Sequence, residues 1–406
     1  MLWLFGSLLL LGTAVQGEPV ERREPGWLLN QVFPNPTGEN GIEDFLVAAE
    51  TLGANRGYQR LQQLDAEKRV TLQDKRRAIA SCKAVLTRVR VGLARKNFLL
   101  RENVDWNTPL IELGHYRQLA RLLYTEQEVH FADGRERQAI GSFQDGYRLG
   151  QVIEQKLLLA GLVGKACRAL SVSPLARRLD QLDYEECKYL RKVCEELLEH
   201  QSDLADIITG EIVIAQDFLA RAREDDFVDL LQAAAPTLED DADDPERDAL
   251  YERMTKHPEL FEQDARRVGT VLREFHRQLL AELEKPFWER SLPEPEQIDD
   301  SSWASAILEA LIPSWSIAFE QFCAEHARLQ LLAVHAAILE YRWMYGSTPE
   351  DLSRLNLGDL VTDPFTGKPL IYKRLDDYRY KLYSAGPNKE DDGGNSDSDV
   401  VLVQGM

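Results

Sequence analysis

Apolar residues along most of this chain recur at alternating intervals of three and four, the spacing that places them on one face of an α-helix. Residues 327–345 carry two such stripes side by side. The first stripe consists of Ala327, Leu331, Val334, Ile338 and Tyr341. The second consists of Leu332, Ala336, Leu339 and Trp343. A helix that is apolar over most of its circumference is buried on several sides, and we predict this for residues 327–345.

Helical spacing also covers residues 41–96, 111–222 and 259–283. Two segments rich in acidic residues and proline, residues 232–248 and 285–302, interrupt the pattern and are typical of linkers. The helix-turn-helix order is repeat-like, but it lacks the recurrence of about 34 residues that defines tetratricopeptide units. We therefore predict a mainly α protein with a multi-helix, repeat-like body.

After the apolar helix the pattern changes to turns and short strands. Gly346 is placed to end the helix, and Thr348, followed by proline, is typical of a new helix start. Residues 363–369 (DPFTGKP) form a turn cluster that no helix tolerates. Tyrosine-rich sequence then predicts two strands, residues 370–374 and 378–383, joined by a hairpin loop. The C-terminal end is therefore predicted to be a small α+β module.

The module ends in an acidic, glycine-rich tail. Within residues 388–399, oxygen-bearing side chains stand at Asn388, Asp391, Asp392, Asn395, Asp397 and Asp399. Calcium takes about six to eight oxygen ligands, and glycines let a short loop wrap one ion. Acidic Gly/Ser/Asp runs are also common as solvated loops without metal, so the composition leaves both interpretations open.

Three segments in this order resemble the periplasmic head of the major pseudopilin of type II secretion systems: YRWMYGSTPEDL, DPFTGKPLIY and YSAGPNKEDDGGNSDSDVV. In that family a long helix leads through an Asp-Pro turn and a small sheet to a calcium loop. The resemblance covers residues 327–402. It implies a bound calcium ion with Asn388, Asp397 and Asp399 at the family's ligand positions and Asp391 and Asp392 as additional candidate ligands.

Two departures from the family matter. Asn388 stands where the family has an aspartate, and an amide oxygen brings no charge, so the resemblance implies a lower calcium affinity. The N-terminus also lacks the basic leader and the Glu-bearing apolar helix of a pseudopilin. The whole chain is similar instead to exported bacterial proteins that join a helical body to such an end. The implied division is residues 1–17 as signal peptide, 18–326 as helical body and 327–406 as head-like module.

Residues 2–15 form an apolar run of the length of a signal-peptide core, with small residues at Val15 and Gly17 for cleavage. We therefore expect export to the periplasm or the exterior. No lysine or arginine precedes the run, so retention as an N-terminal membrane anchor is the alternative. We expect no other membrane span.

The net charge of −20 argues against nucleic-acid partners and against docking on anionic lipid, because both attract basic surfaces. Protein partners and cations stay open. The five cysteines contain no Cys-x-x-Cys pair. They are expected to be buried thiols, with a Cys167–Cys187 disulfide as the alternative.

No Walker A, Gly-x-Gly-x-x-Gly, His-Glu-x-x-His or Gly-x-Ser-x-Gly motif occurs in the sequence. We expect His335 to be a hydrogen-bonded core histidine, and Glu196 with His200 to be an exposed helix pair. A non-catalytic structural or interaction protein with a calcium-stabilised module is thus the first expectation. The alternatives are a hydrolase or lyase with a site in a helical cleft, and an accessory component of a secretion or pilus assembly.

Export gives the first testable prediction. Because residues 2–15 form a signal-peptide core, N-terminal sequencing of the protein recovered outside the cytosol is expected to begin near Glu18. Recovery of the full-length chain in the cytosol would contradict it.

Overall fold

The computed structural model describes residues 39–99, 110–154, 156–200, 204–221, 258–298 and 315–402, with residues 32, 304, 308 and 312. The predicted signal peptide and the linker at 232–248 lie outside these ranges. The α-helices are α1 Gly41–Gly53, α2 Arg56–Ala66, α3 Leu72–Ser81, α4 Lys83–Leu93, α5 Glu112–Ala132, α6 Glu136–Val152, α7 Leu158–Ala176, α8 Tyr184–Glu199, α9 Leu204–Arg221, α10 Pro258–Leu283 and α11 Trp315–Tyr345.

Short 3-10 helices and a small antiparallel sheet complete the fold. The 3-10 helices are Leu179–Gln181, Phe287–Glu289, Leu352–Leu355 and Gly358–Val361. The strands are β1 Ile371–Arg374, β2 Tyr380–Ser384 and β3 Val400–Val401, in the order β1-β2-β3. The predicted mainly α fold with a small C-terminal α+β module is therefore confirmed.

Local sequence signals set several helix boundaries. α8 begins with a capping box, in which the carboxylate of Asp183 accepts from the Glu186 N–H and Glu186 accepts from the Asp183 N–H, both at 2.9 Å. Gly134 takes a φ of +65° between α5 and α6, and Gly346 takes +73° at the end of α11. Both angles favour glycine, and the end of α11 at Gly346 agrees with the sequence prediction.

Glycine also lets α6 and α7 approach closely. A Cβ atom at Gly150 would lie 2.6 Å from the carbonyl oxygen of Gly164, and one at Gly164 would lie 2.4 Å from the carbonyl oxygen of Gly150. Any side chain at either position would push the helices apart. α7 is long and apolar enough to cross a membrane by length and composition alone, but half of its most apolar stretch is buried in the protein. A packed core helix has the same properties.

The long helix α11 belongs to two hydrophobic clusters at once. Leu329, Leu332 and Ala336 pack with α8 residues such as Leu190. Leu331, Val334 and Ile338 pack with residues of the sheet and of the turn before it: Leu370, Tyr380, Leu382 and Val400. α11 therefore connects the helical body to the C-terminal module. The boundary predicted between residues 326 and 327 falls inside this helix.

Two predictions about the end of this segment are wrong. The Trp343 side chain was predicted to extend the buried stripe, yet Trp343 is 57% exposed and its Nε1 donates to the Leu182 carbonyl at 3.1 Å. Thr348 does not cap a helix. Its N–H donates to the Asp377 carbonyl at 2.8 Å, because the hairpin loop folds back over it.

All five cysteines are buried free thiols, so the Cys167–Cys187 disulfide is not formed. Burial raises the pKa of Cys167 to about 12, and it raises the pKa of Cys187 to about 12 as well. These thiols are protonated at neutral pH and act as small apolar side chains.

A network of buried polar groups joins α6, α7 and α11. The Arg168 guanidinium forms ion pairs with Glu154 and with Glu325, the latter at 3.1 Å, and the Tyr147 hydroxyl donates to Glu325. All four residues are buried. A charge removed from water at this depth is tolerated only when it is paired, so the network requires all its members.

Substitution of Arg168 tests this requirement. Arg168→Met leaves the carboxylates of Glu154 and Glu325 buried without their cation, and we expect a loss of about 3–5 kcal/mol in the free energy of unfolding. The exposed Arg273 on α10 provides the control, with an expected change of about 0.5 kcal/mol or less for Arg273→Met. Urea denaturation measures both, and equal effects would contradict the prediction.

Candidate metal loop

The acidic tail forms a loop between the last two strands of the sheet. β2 pairs with β1, and its last two residues pair with β3 through Tyr383–Val401 and Ser384–Val400. β3 is only two residues long and was not predicted. It fixes both ends of the loop at residues 385–399, which we call the acidic loop.

A buried carboxylate outside the loop holds its first residue. Asp363, in the Asp-Pro turn, accepts from the Ser384 hydroxyl at 2.9 Å, the Ala385 N–H at 2.8 Å and the Phe365 N–H at 2.9 Å. It is 1% exposed. The turn is recognisable in the sequence, but this role is not, because Asp363 lies far from residues 384–385 along the chain.

Asp399 organises the rest of the loop. Its buried carboxylate accepts from the N–H groups of Gly394 at 2.7 Å, Asn395 at 3.0 Å and, more weakly, Asp392 at 3.4 Å. Gly393 and Gly394 have φ values of +77° and +84°, which turn these amides inward. Asp399, predicted as a calcium ligand, is therefore a carboxylate that folds the loop around itself.

Asn388 and Asp392 meet on the exposed side of the loop. The Asn388 Nδ2 donates to Asp392 Oδ2 at 2.7 Å. This hydrogen bond, assisted by Ser398, lowers the pKa of Asp392, so its carboxylate is charged at neutral pH. Asp397 is exposed, and its N–H donates to Asn395 Oδ1 at 3.2 Å.

Asp391, the remaining candidate ligand, is held against the sheet. Its Oδ1 accepts from the Tyr383 hydroxyl at 2.6 Å and its Oδ2 from the Lys373 ammonium at 3.0 Å. These two contacts, with the Gly393 N–H, lower the pKa of Asp391 to about 2. This carboxylate is ionised and already paired with a cation of the protein.

The donors of the acidic loop fit calcium by their chemistry, since amide and carboxylate oxygens are what hard cations take. Among the residues that the structure describes, no group of three or more His, Cys, Asp or Glu side chains is arranged to hold a metal ion. The structure brings Asn388 to Asp392 and the Asp392 backbone to Asp399, while Asp391 is drawn to Lys373. Calcium binding at these five positions stays a prediction.

The structure shows the surroundings of the two histidines for which a role was predicted, His335 and His200. His335 on α11 is buried, and its Nδ1 lies 2.8 Å from the Tyr380 hydroxyl of β2, as expected for a hydrogen-bonded core histidine. Burial lowers its pKa to about 3. His200 is exposed, and its Nδ1 lies 2.8 Å from the Glu196 carbonyl.

Comparison of the chain with models of protein families, with curated proteins and with solved structures gave no match. The candidate function therefore rests on the chemistry and geometry of the chain itself.

Titration of His335 gives a testable pH dependence. In the unfolded chain the His335 imidazole binds a proton near pH 6.5. In the folded protein the same imidazole is buried and binds a proton only near pH 3. Stability is therefore expected to fall as pH decreases between these values, by up to about 1.4 kcal/mol per pH unit from this residue. His335→Gln should flatten the pH dependence of the free energy of unfolding between pH 6 and about 4. The exposed His200→Gln is the control, and an unchanged slope in the His335 variant would contradict the assignment.

Proposed function

We propose that this protein is an exported, non-catalytic structural or interaction protein whose C-terminal module is stabilised by calcium in the acidic loop. The observation that supports this most is the loop fold. Asp399 gathers the backbone amides, and the charged or oxygen-bearing side chains of Asn388, Asp392 and Asp397 are left exposed on the same short segment.

Asn388, Asp392 and Asp397 are the residues that would hold the ion, with backbone carbonyls completing the shell. Asp399 acts mainly by positioning these residues through the loop amides. Calcium supplies positive charge that offsets the repulsion between carboxylates crowded in one loop. The amide at Asn388 reduces the ligand charge, which suits a site of modest affinity in an exported protein, where calcium is abundant.

A role in binding other proteins fits the rest of the chain. The net charge of −20 favours basic surfaces as partners. α11 packs against both the helical body and the C-terminal module through two hydrophobic clusters. The acidic loop is thus attached to a packed core, which suits a calcium-dependent contact surface.

Thermal unfolding of the full-length chain tests the calcium proposal. Binding to the folded state alone stabilises by RT ln(1 + [L]/Kd), which is about 2.7 kcal/mol at a hundredfold excess over Kd. The midpoint is therefore expected to be higher in calcium chloride than in chelator. The double variant Asp392→Asn with Asp397→Asn should lose this difference, because both positions donate charge to the site.

Asparagine keeps the shape of these side chains, and Asp399 is left intact so that the loop can still fold. The matched control is Glu350→Gln with Asp359→Asn, which removes two exposed acids from the same module outside the loop. Equal midpoints for the unmodified protein in calcium and in chelator would overturn the proposal.

A further inference from the structure

The end of α11 and the loop of the β1–β2 hairpin expose apolar side chains side by side. Five of the twelve large apolar side chains that are exposed in the described part of the chain lie in these two short segments. They are Trp343, Met344, Tyr345, Leu375 and Tyr378, with exposed fractions between 52% and 65%. We call these five residues the aromatic tip. Single exposed apolar side chains are ordinary, whereas a group of them marks a contact surface.

Polar contacts hold the two segments of the aromatic tip together. The Thr348 N–H donates to the Asp377 carbonyl at 2.8 Å, and the Thr348 hydroxyl donates to the Asp376 carbonyl at 3.1 Å. The Arg342 guanidinium lies 3.5 Å from the Tyr378 carbonyl. The hairpin loop is therefore bonded to the end of α11 and to the chain that follows it, and the five side chains belong to one surface.

The shape of the aromatic tip restricts what can cover it. Residues 343–346 are all exposed, and four consecutive residues point in every direction around a helix axis. The last turn of α11 therefore projects beyond the elements that bury the rest of the helix. A projecting surface fits a partner that deforms around it, and a lipid bilayer does so. Trp and Tyr side chains also favour the boundary between lipid and water.

Charge indicates which kind of lipid the tip fits. The net charge of −20 repels a bilayer that is itself anionic. The tip has no such excess of acid, since its charged residues are Arg342, Arg374, Arg379, Asp376 and Asp377. Arg379 pairs with Asp376 at 2.6 Å, but its side chain is 70% exposed, and so open a pair is weak.

A guanidinium group binds phosphate through two parallel hydrogen bonds, so Arg379 is suited to a lipid headgroup. Zwitterionic phospholipids offer this phosphate without a net negative charge. They are therefore the lipids that the tip can contact without repulsion of the rest of the chain.

We propose that the aromatic tip docks this protein on the surface of a zwitterionic phospholipid bilayer, with the five apolar side chains at the headgroup boundary and Arg379 against a lipid phosphate. This docking needs no metal ion and uses no residue of the acidic loop, so it goes beyond the proposed function and does not depend on calcium.

Co-sedimentation of the full-length protein with phosphatidylcholine vesicles, in chelator, tests the proposal. Tyr345→Ser with Tyr378→Ser removes one exposed ring from each segment, and partition into the vesicle fraction is expected to fall about tenfold. The matched control is Val47→Ser with Ile317→Ser, two side chains that are 46% and 52% exposed outside the tip. Its partition should change by about twofold or less. Equal partition of the tip variant and the unmodified protein would overturn the proposal.

Amide hydrogen exchange locates the contact and separates it from lipid binding by the apolar run at residues 2–15. Vesicles are expected to slow exchange at least about threefold in residues 343–347 and 375–379, while residues 41–53 of α1 keep their rates. Unchanged exchange in both tip segments would overturn the proposal. If the unmodified protein instead self-associates without binding vesicles, and the tip variant loses this association, the occupant is a second copy of the chain and the lipid assignment is wrong.

Discussion

A helix that is apolar around most of its circumference has to be covered on more than one side, and α11 depends on two different partners to achieve this. α8 covers one side of α11, and the small sheet with its preceding turn covers another. The sheet has only three strands, one of them two residues long, and so small a sheet needs a helix to pack against. The hydrophobic core of the C-terminal module therefore includes one side of α11, and another side of α11 packs against the helical body.

Buried charges impose a second constraint, and this chain meets it in two ways. In the body, Arg168 on α7 pairs with Glu154, just after α6, and with Glu325 on α11, which is distant in sequence. In the module, Asp363 and Asp399 are buried without a cation and are satisfied by N–H and hydroxyl donors. Carboxylates that accept several such hydrogen bonds are well stabilised. The acidic loop is consequently held by hydrogen bonds from its backbone to these two carboxylates.

The loop then combines two kinds of acidic residue. Asp399 and Asp391 are engaged by the protein, the first through loop amides and the second through Lys373 and Tyr383. Asn388, Asp392 and Asp397 are exposed and form hydrogen bonds within the loop. This distinction is invisible in the spacing of the acids along the chain. In the candidate site, Asp399 and Asp391 therefore hold the loop, and the side chains of Asn388, Asp392 and Asp397 are the remaining oxygen donors.

The sequence by itself determined what depends on near neighbours along the chain. The apolar stripes of α11 and its end at Gly346 each involve residues within a few positions, so periodicity and backbone preference were sufficient. The tertiary structure alone decided which acids are buried and what pairs with them. Asp363 meets Ala385, Thr348 meets the hairpin loop and Arg168 meets Glu325 only because the chain folds back on itself. Trp343 is exposed for the same reason: helical spacing places a residue on a face, but only the packing of other elements decides how far along the helix that face is covered.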